Sequence, residues 1–155
     1  MKTIDRPFLD DLGRQAAASR RRRQHFNLHT SYADPCQRLV NSLMHDSYIR
    51  PHRHSVDPKF ETLIALQGAM GCIHFDDRGN VARLVRFGAG SDCPAIVVEP
   101  NEWHTVVALS ETAVLLEVKA GPFDPSAAKE PAPWAAEEGS AAAGAYLARM
   151  LAMFG

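Results

Sequence analysis

Between residues 25 and 119, apolar and β-branched residues fall in short runs separated by turn signals. The runs are Gln37–Met44, Phe60–Leu66, Met70–Phe75, Ala82–Phe87, Ala95–Val98, His104–Leu109 and Ala113–Val118. Asp34-Pro35, Asp57-Pro58, Gln67-Gly68, Asp76 through Asn80, Gly88 through Gly90 and Pro100-Asn101 punctuate them. Short strands at near-regular spacing predict a β-sandwich or a β-barrel. No helical segment interrupts them, which argues against a parallel α/β sheet.

The two ends of the chain read differently. Phe8, Leu9, Leu12 and Ala16 recur at helical spacing within residues 5–19, and Asp5 followed by Pro7 suits a helix start. Tyr146, Leu147, Met150, Leu151 and Phe154 predict a second helix within residues 141–154. Pro125, Pro131 and Pro133 mark an arm before it. With no internal repeat and no strong linker, residues 1–155 form one domain: an N-terminal helix to residue 24, the β block from 25 to 122, and an arm and helix from 123 to 155. The apolar face of the second helix must be covered, by the barrel or by a second subunit, and a homodimer is the expectation.

Composition narrows the class. At 46% hydrophobic and 23% charged residues the chain is an ordinary globular protein, with a formal net charge of -1. That balance gives no electrostatic case for nucleic acid or for an anionic membrane. The run Arg20–Arg23 reads as a solvated helix end, where cations complement the dipole. No apolar run approaches the roughly 18 residues of a transmembrane helix. Acidic residues stand where a secretory signal would be apolar, so a cytoplasmic location is expected. Cys36, Cys72 and Cys93 are widely spaced and form no CxxC pair, which fits reduced thiols in the core.

The histidines carry the chemistry. In an extended chain His52 and His54 share a face, and Arg53 points the other way. Alone, such a pair is a weak signal. Glu61 opens the next strand, which ends at Gly68. A carboxylate carried into a barrel there needs a cation; otherwise it is an exposed strand charge. His104 follows the turn Pro100 to Trp103 and begins a later strand that a barrel can return beside the first pair.

These segments resemble the cupin superfamily. His52, His54, Glu61 and Gly68 match its first motif, and Pro100 and His104 its second. Six residues separate His54 from Glu61, a longer spacer than the pattern, and Asn101 stands at the turn glycine. More closely, the chain resembles the WbuC family of cupin-fold metalloproteins. The matching segments are residues 27–29, 34–39, 47–54, Trp103-His104, 117–122 and Pro133-Trp134. The resemblance implies a mainly β, single-domain cupin fold, a double-stranded β-helix or jelly-roll barrel with short N- and C-terminal helices. It also implies one divalent metal ion held by His52, His54, Glu61 and His104.

Imidazoles with one carboxylate suit zinc, iron, nickel, cobalt, copper or manganese. The ion leaves a local positive charge, so the expected partner is a small, anionic molecule. Asn27, His29, Arg38, Tyr48, Arg50 and Trp103 are candidate substrate contacts, each with a packing or surface role as the alternative. Three functions fit: a metal-dependent enzyme (isomerase, epimerase or dioxygenase), with a sugar or sugar-nucleotide of surface-polysaccharide metabolism as its substrate class; a non-catalytic cupin that binds a metal or small molecule for sensing or storage; and a metal-free barrel with a histidine base.

Overall fold

A computed structural model describes residues 1–127 and 129–155. Helix α1 spans Arg6–Ala18. The strands follow as β1 Arg23–Asn27, β2 Cys36–Met44, β3 His52–Arg53, β4 Glu61–Gln67, β5 Ala69–Phe75, β6 Val81–Gly88, β7 Ala95–Val98, β8 Trp103–Ala108 and β9 Thr112–Ala120. A 3-10 turn at Pro125–Ala127, strand β10 Glu130–Pro131 and helix α2 Ala143–Ala152 complete the chain. One sheet has the order β1-β2-β9-β4-β7 and the other β10-β3-β8-β5-β6, with antiparallel pairing throughout. The two sheets form a jelly-roll barrel.

All seven expected strands are present, shifted by no more than a few residues at their ends. Strands β1, β3 and β10 were not expected. The latter two are only two residues long and carry no apolar periodicity.

Local chemistry explains the ends of the chain. The Asp5 carboxylate accepts the Phe8 N–H at 3.1 Å and caps α1, with proline in the first turn. Leu9 and Leu12 then bury against Val40 and Val114 on the outer face of the first sheet. Phe26 on β1 meets Phe8 edge to face, with centroids 5.2 Å apart. Gly68, at φ 70, makes the β4–β5 turn; a Cβ there would meet the backbone of Thr112 and Ala113.

Alternation along each strand separates two cores. Met70, Cys72, Val106 and Ala108 point between the sheets with Leu43, Leu63, Phe87 and Leu115. Ile73, Phe75, Trp103 and Val107 point out of the second sheet, where Leu147, Met150 and Phe154 of the C-terminal segment cover them. Strand β8 is buried at all six positions because it is covered on both faces. The apolar face of α2 therefore packs largely within its own subunit. Among the described residues, no helix is long and apolar enough to cross a membrane.

Met150 is almost wholly buried in this outer core. Met150→Ala is expected to lower the unfolding free energy by about 2–5 kcal/mol, measured by urea denaturation. A loss below about 1 kcal/mol would show that α2 is only loosely docked.

Candidate metal centre

The short strand β3 positions the first ligand candidate. His52 pairs directly with His104 across the β3–β8 ladder, and their ring centroids lie 4.6 Å apart. His54 stands just beyond β3, its ring 5.4 Å from that of His52 and 5.8 Å from that of His104. The three offer nitrogens that all lie within 4.8 Å of one another. Arg53 points away: its guanidinium lies over the Trp103 ring at 4.3 Å and pairs with Glu130 at 2.9 Å. The Thr105 hydroxyl donates to the Ile49 carbonyl at 2.7 Å and ties the segment before β3 to β8. Asn101 sits at φ 65 in the turn before His104, a conformation asparagine tolerates where most residues do not.

Backbone carbonyls fix two of the rings. His52 Nδ1 lies 3.0 Å from the Arg50 carbonyl oxygen, and His104 Nδ1 lies 2.8 Å from that of Glu102. A carbonyl only accepts, so both Nδ1 atoms carry the proton and donate. In the neutral rings each Nε2 then presents a lone pair, the orientation found in metal-bound histidines. Burial and the neighbouring His104 hold the His52 pKa well below its ordinary value, so that ring is neutral.

Glu61 enters from the opposite sheet. It is 4% exposed, with Oε1 3.1 Å from His54 Nε2 and Oε2 3.4 Å from His104 Nε2. Register places Lys119 of β9 beside it, and Lys119 Nζ donates to Glu61 Oε1 at 2.8 Å and to Glu117 Oε1 at 2.7 Å. Burial opposes the charge of Glu61. The imidazoles of His104 and His54 and the Lys119 ammonium outweigh that and hold the carboxyl well below its usual range. Burial likewise opposes the Lys119 charge, but Glu117 and Glu61 hold it above its ordinary value. Glu117 is pushed up, chiefly by burial and then by the nearby Glu61.

One contact tests whether these residues fit a metal ion. With Nδ1 protonated, neutral His104 would turn an Nε2 lone pair towards a carboxylate oxygen 3.4 Å away. Two lone pairs repel unless a cation lies between them. A proton on Nε2 or a shared metal ion each satisfies the arrangement, and three imidazoles with a carboxylate are a fitting transition-metal set.

The centre lies on the wall of a cavity of about 380 Å³, with Leu43, Leu63, Val106 and Leu115 in its floor. Asn27 and His29 line it, as do Lys119 and Glu117. Four other candidate contacts point elsewhere, because neighbours in an extended chain face opposite ways. Gln37, Leu39, Asn41 and Leu43 of β2 face the cavity, so Arg38 faces outward, 3.6 Å from Asp34. Ile49 faces the cavity while its neighbours do not: the Tyr48 hydroxyl donates to the Ala136 carbonyl, and Arg50 donates to that of Ala132. Trp103 adjoins the inward His104 and so turns outward, where its Nε1–H donates to Asp77 at 3.0 Å.

Sequence reasoning missed β1, which brings Arg23, His25 and Asn27 to the cavity. Their spacing of two was the only signal, without an apolar partner set. It also missed Glu117 and Lys119, two apart in an otherwise apolar strand. The arginine run is not a freely solvated helix end. Arg21 and Arg23 both donate to the Glu138 carboxylate, each as close as 2.7 Å, and Arg23 also donates to the Tyr48 carbonyl at 2.8 Å.

A fold of this kind defines a cupin barrel, and solved structures agree. An oxalate oxidase in complex with the substrate analogue glycolate superposes with a TM-score of 0.55 at 10% identity, over 69% of this chain and 55% of that one. KdgF from Halomonas sp. gives 0.52 at 15% identity, over 67% and 82%. The Schizosaccharomyces pombe Cnp3 cupin domain gives 0.51 at 10%, over 64% and 61%. The chain thus spans only 61% of the Cnp3 structure and 55% of the oxalate oxidase. The chain itself belongs to the family described as a domain of unknown function, DUF6016, whose model matches residues 4–87, from before α1 to the end of β6. No curated protein matches it.

The Glu138 clamp has a pH consequence. Burial alone would raise its pKa, but the hydrogen bonds from Arg21 and Arg23 bring it from 4.5 to about 2. A depressed carboxyl stabilises the fold above its ordinary pKa, and that contribution is lost as pH falls towards about 2. Glu138→Gln is therefore expected to flatten the fall in unfolding free energy between pH 4.5 and about 2, measured by denaturant titration across that range. Parallel curves for the two proteins would show that the clamp contributes nothing.

Proposed function

We propose that this chain is a metal-dependent cupin enzyme acting on a small anionic molecule, with the ion held by His52, His54, Glu61 and His104. The observation that carries it is the approach of His104 Nε2 to within 3.4 Å of the buried Glu61 carboxylate, with two further imidazoles at the same point. Bound there, a divalent transition ion would supply Lewis acidity or an activated water or dioxygen.

The chain's own groups do the rest. The Arg50 and Glu102 carbonyls aim His52 and His104. Lys119 donates to Oε1 of Glu61 and so helps keep the carboxylate ionised and in place beside His54 and His104. The divalent charge added to Lys119 exceeds what Glu61 and Glu117 offset, given that burial favours a proton on Glu117. An anion entering the cavity is favoured by that surplus. The apolar floor from Leu43, Leu63 and Leu115 limits water around the reacting group. The WbuC-type relationship, and with it a sugar or sugar-nucleotide substrate of surface-polysaccharide metabolism, belongs to this reading.

Metal content per chain after identical purification and dialysis tests it. Wild type is expected to approach one equivalent, and His52→Ala with His104→Ala to hold almost none. Glu61→Gln keeps the shape and loses the charge, and should weaken retention about 10–100-fold. Wild-type occupancy in the double mutant would overturn the assignment.

A further inference from the structure

The cavity has a second polar wall that the metal reading does not use. His29 is 8% exposed, and its Nδ1 is engaged with the backbone of Arg38, 2.9 Å from the carbonyl oxygen and 3.1 Å from the nitrogen. Its Nε2 is buried without a protein partner among the described residues. Whichever tautomer the ring adopts, its Nε2 is left unsatisfied, on a ring that lines the cavity. Asn27 lies two residues before it on β1, and Asn41 faces the same cavity from β2. No protein hydrogen bond holds either side-chain amide among the described residues.

We infer that His29, Asn27 and Asn41 form a recognition wall for hydroxyl groups, so that the ligand is a small polyhydroxylated acid with its carboxylate at the metal end. The inference rests on the proposed metal centre and adds the chemistry of the rest of the ligand. A hydroxyl both donates and accepts, and so can satisfy the imidazole Nε2 in either tautomer and both ends of an asparagine amide. An apolar chain in the same place would leave all three groups desolvated and unpaired. Cationic ligands are disfavoured by Lys119 and by the ion. A volume of about 380 Å³ is at the small end of the range for small-molecule sites, which suits one monosaccharide-sized acid and not a polymer.

The test titrates zinc-loaded protein with D-gluconate and with hexanoate by calorimetry. The two acids share a carboxylate and a six-carbon chain and differ in their hydroxyls. Gluconate is expected to bind at least tenfold more tightly. His29→Phe and Asn27→Leu should each weaken gluconate roughly five- to thirtyfold, the loss of about one hydrogen bond, and leave hexanoate and zinc content unchanged. Asn27 is half-buried on an edge strand and holds no protein partner through its side chain, so Asn27→Leu preserves the readout if His29→Phe fails to fold. If zinc is retained but gluconate binds no better than hexanoate, or both variants bind gluconate as wild type does, a water serves these groups and the hydroxyl wall is wrong while the metal centre stands. If wild type retains no zinc, the metal centre falls, and this inference with it.

Discussion

A buried carboxylate cannot stay ionised without cations close by, and the centre of this barrel is arranged around that constraint. Glu61 lies inside, at the start of β4, with Lys119 beside it in register and two imidazoles on the facing sheet. Lys119 in turn donates to Glu117, whose carboxyl is pushed up by burial and by the nearby Glu61. The triad spans neighbouring strands β4 and β9 of one sheet, while the histidines belong to the other. Electrostatics at this point therefore couples the two layers, where the hydrophobic core alone would accept many relative placements.

The same strand alternation that made the fold legible also decides which candidates reach the cavity. Period two over short runs, with turn residues between them, identified seven strands and the two terminal helices. The HxH pair and His104 could be read as a group because a barrel brings distant strand starts together. Trp103, Arg38, Tyr48 and Arg50 each stand next to a residue that faces the cavity, and one residue along an extended chain is the opposite face. A strict in–out assignment of each strand would have exchanged Arg38 for Asn41.

What stayed hidden has a physical reason. Strand β1 holds no apolar alternation because one face looks into a polar cavity, and its single outward aromatic, Phe26, packs on α1. The arginine run looked solvated because its partner, Glu138, lies more than a hundred residues away in a proline-containing arm. Long-range charge pairing leaves no local mark in a sequence. His52 and His54 were visible for the opposite reason: their relation is set by a spacing of two within one segment.

Strand β3 has only two residues, and β10 from the C-terminal arm supplies its outer neighbour: Pro131 stands opposite His52 and Glu130 opposite Arg53. The Ala132 N–H then donates to the Pro51 carbonyl at 2.8 Å. The last thirty residues are thus part of the wall that carries the histidines, although none of them is a ligand candidate. A fragment cut after the β9 strand would retain every histidine of the sequence, yet β3 would become a bare sheet edge on a stripped outer face. Gene boundaries drawn from the motif-bearing segment alone would yield a protein with the right letters and a misaligned site.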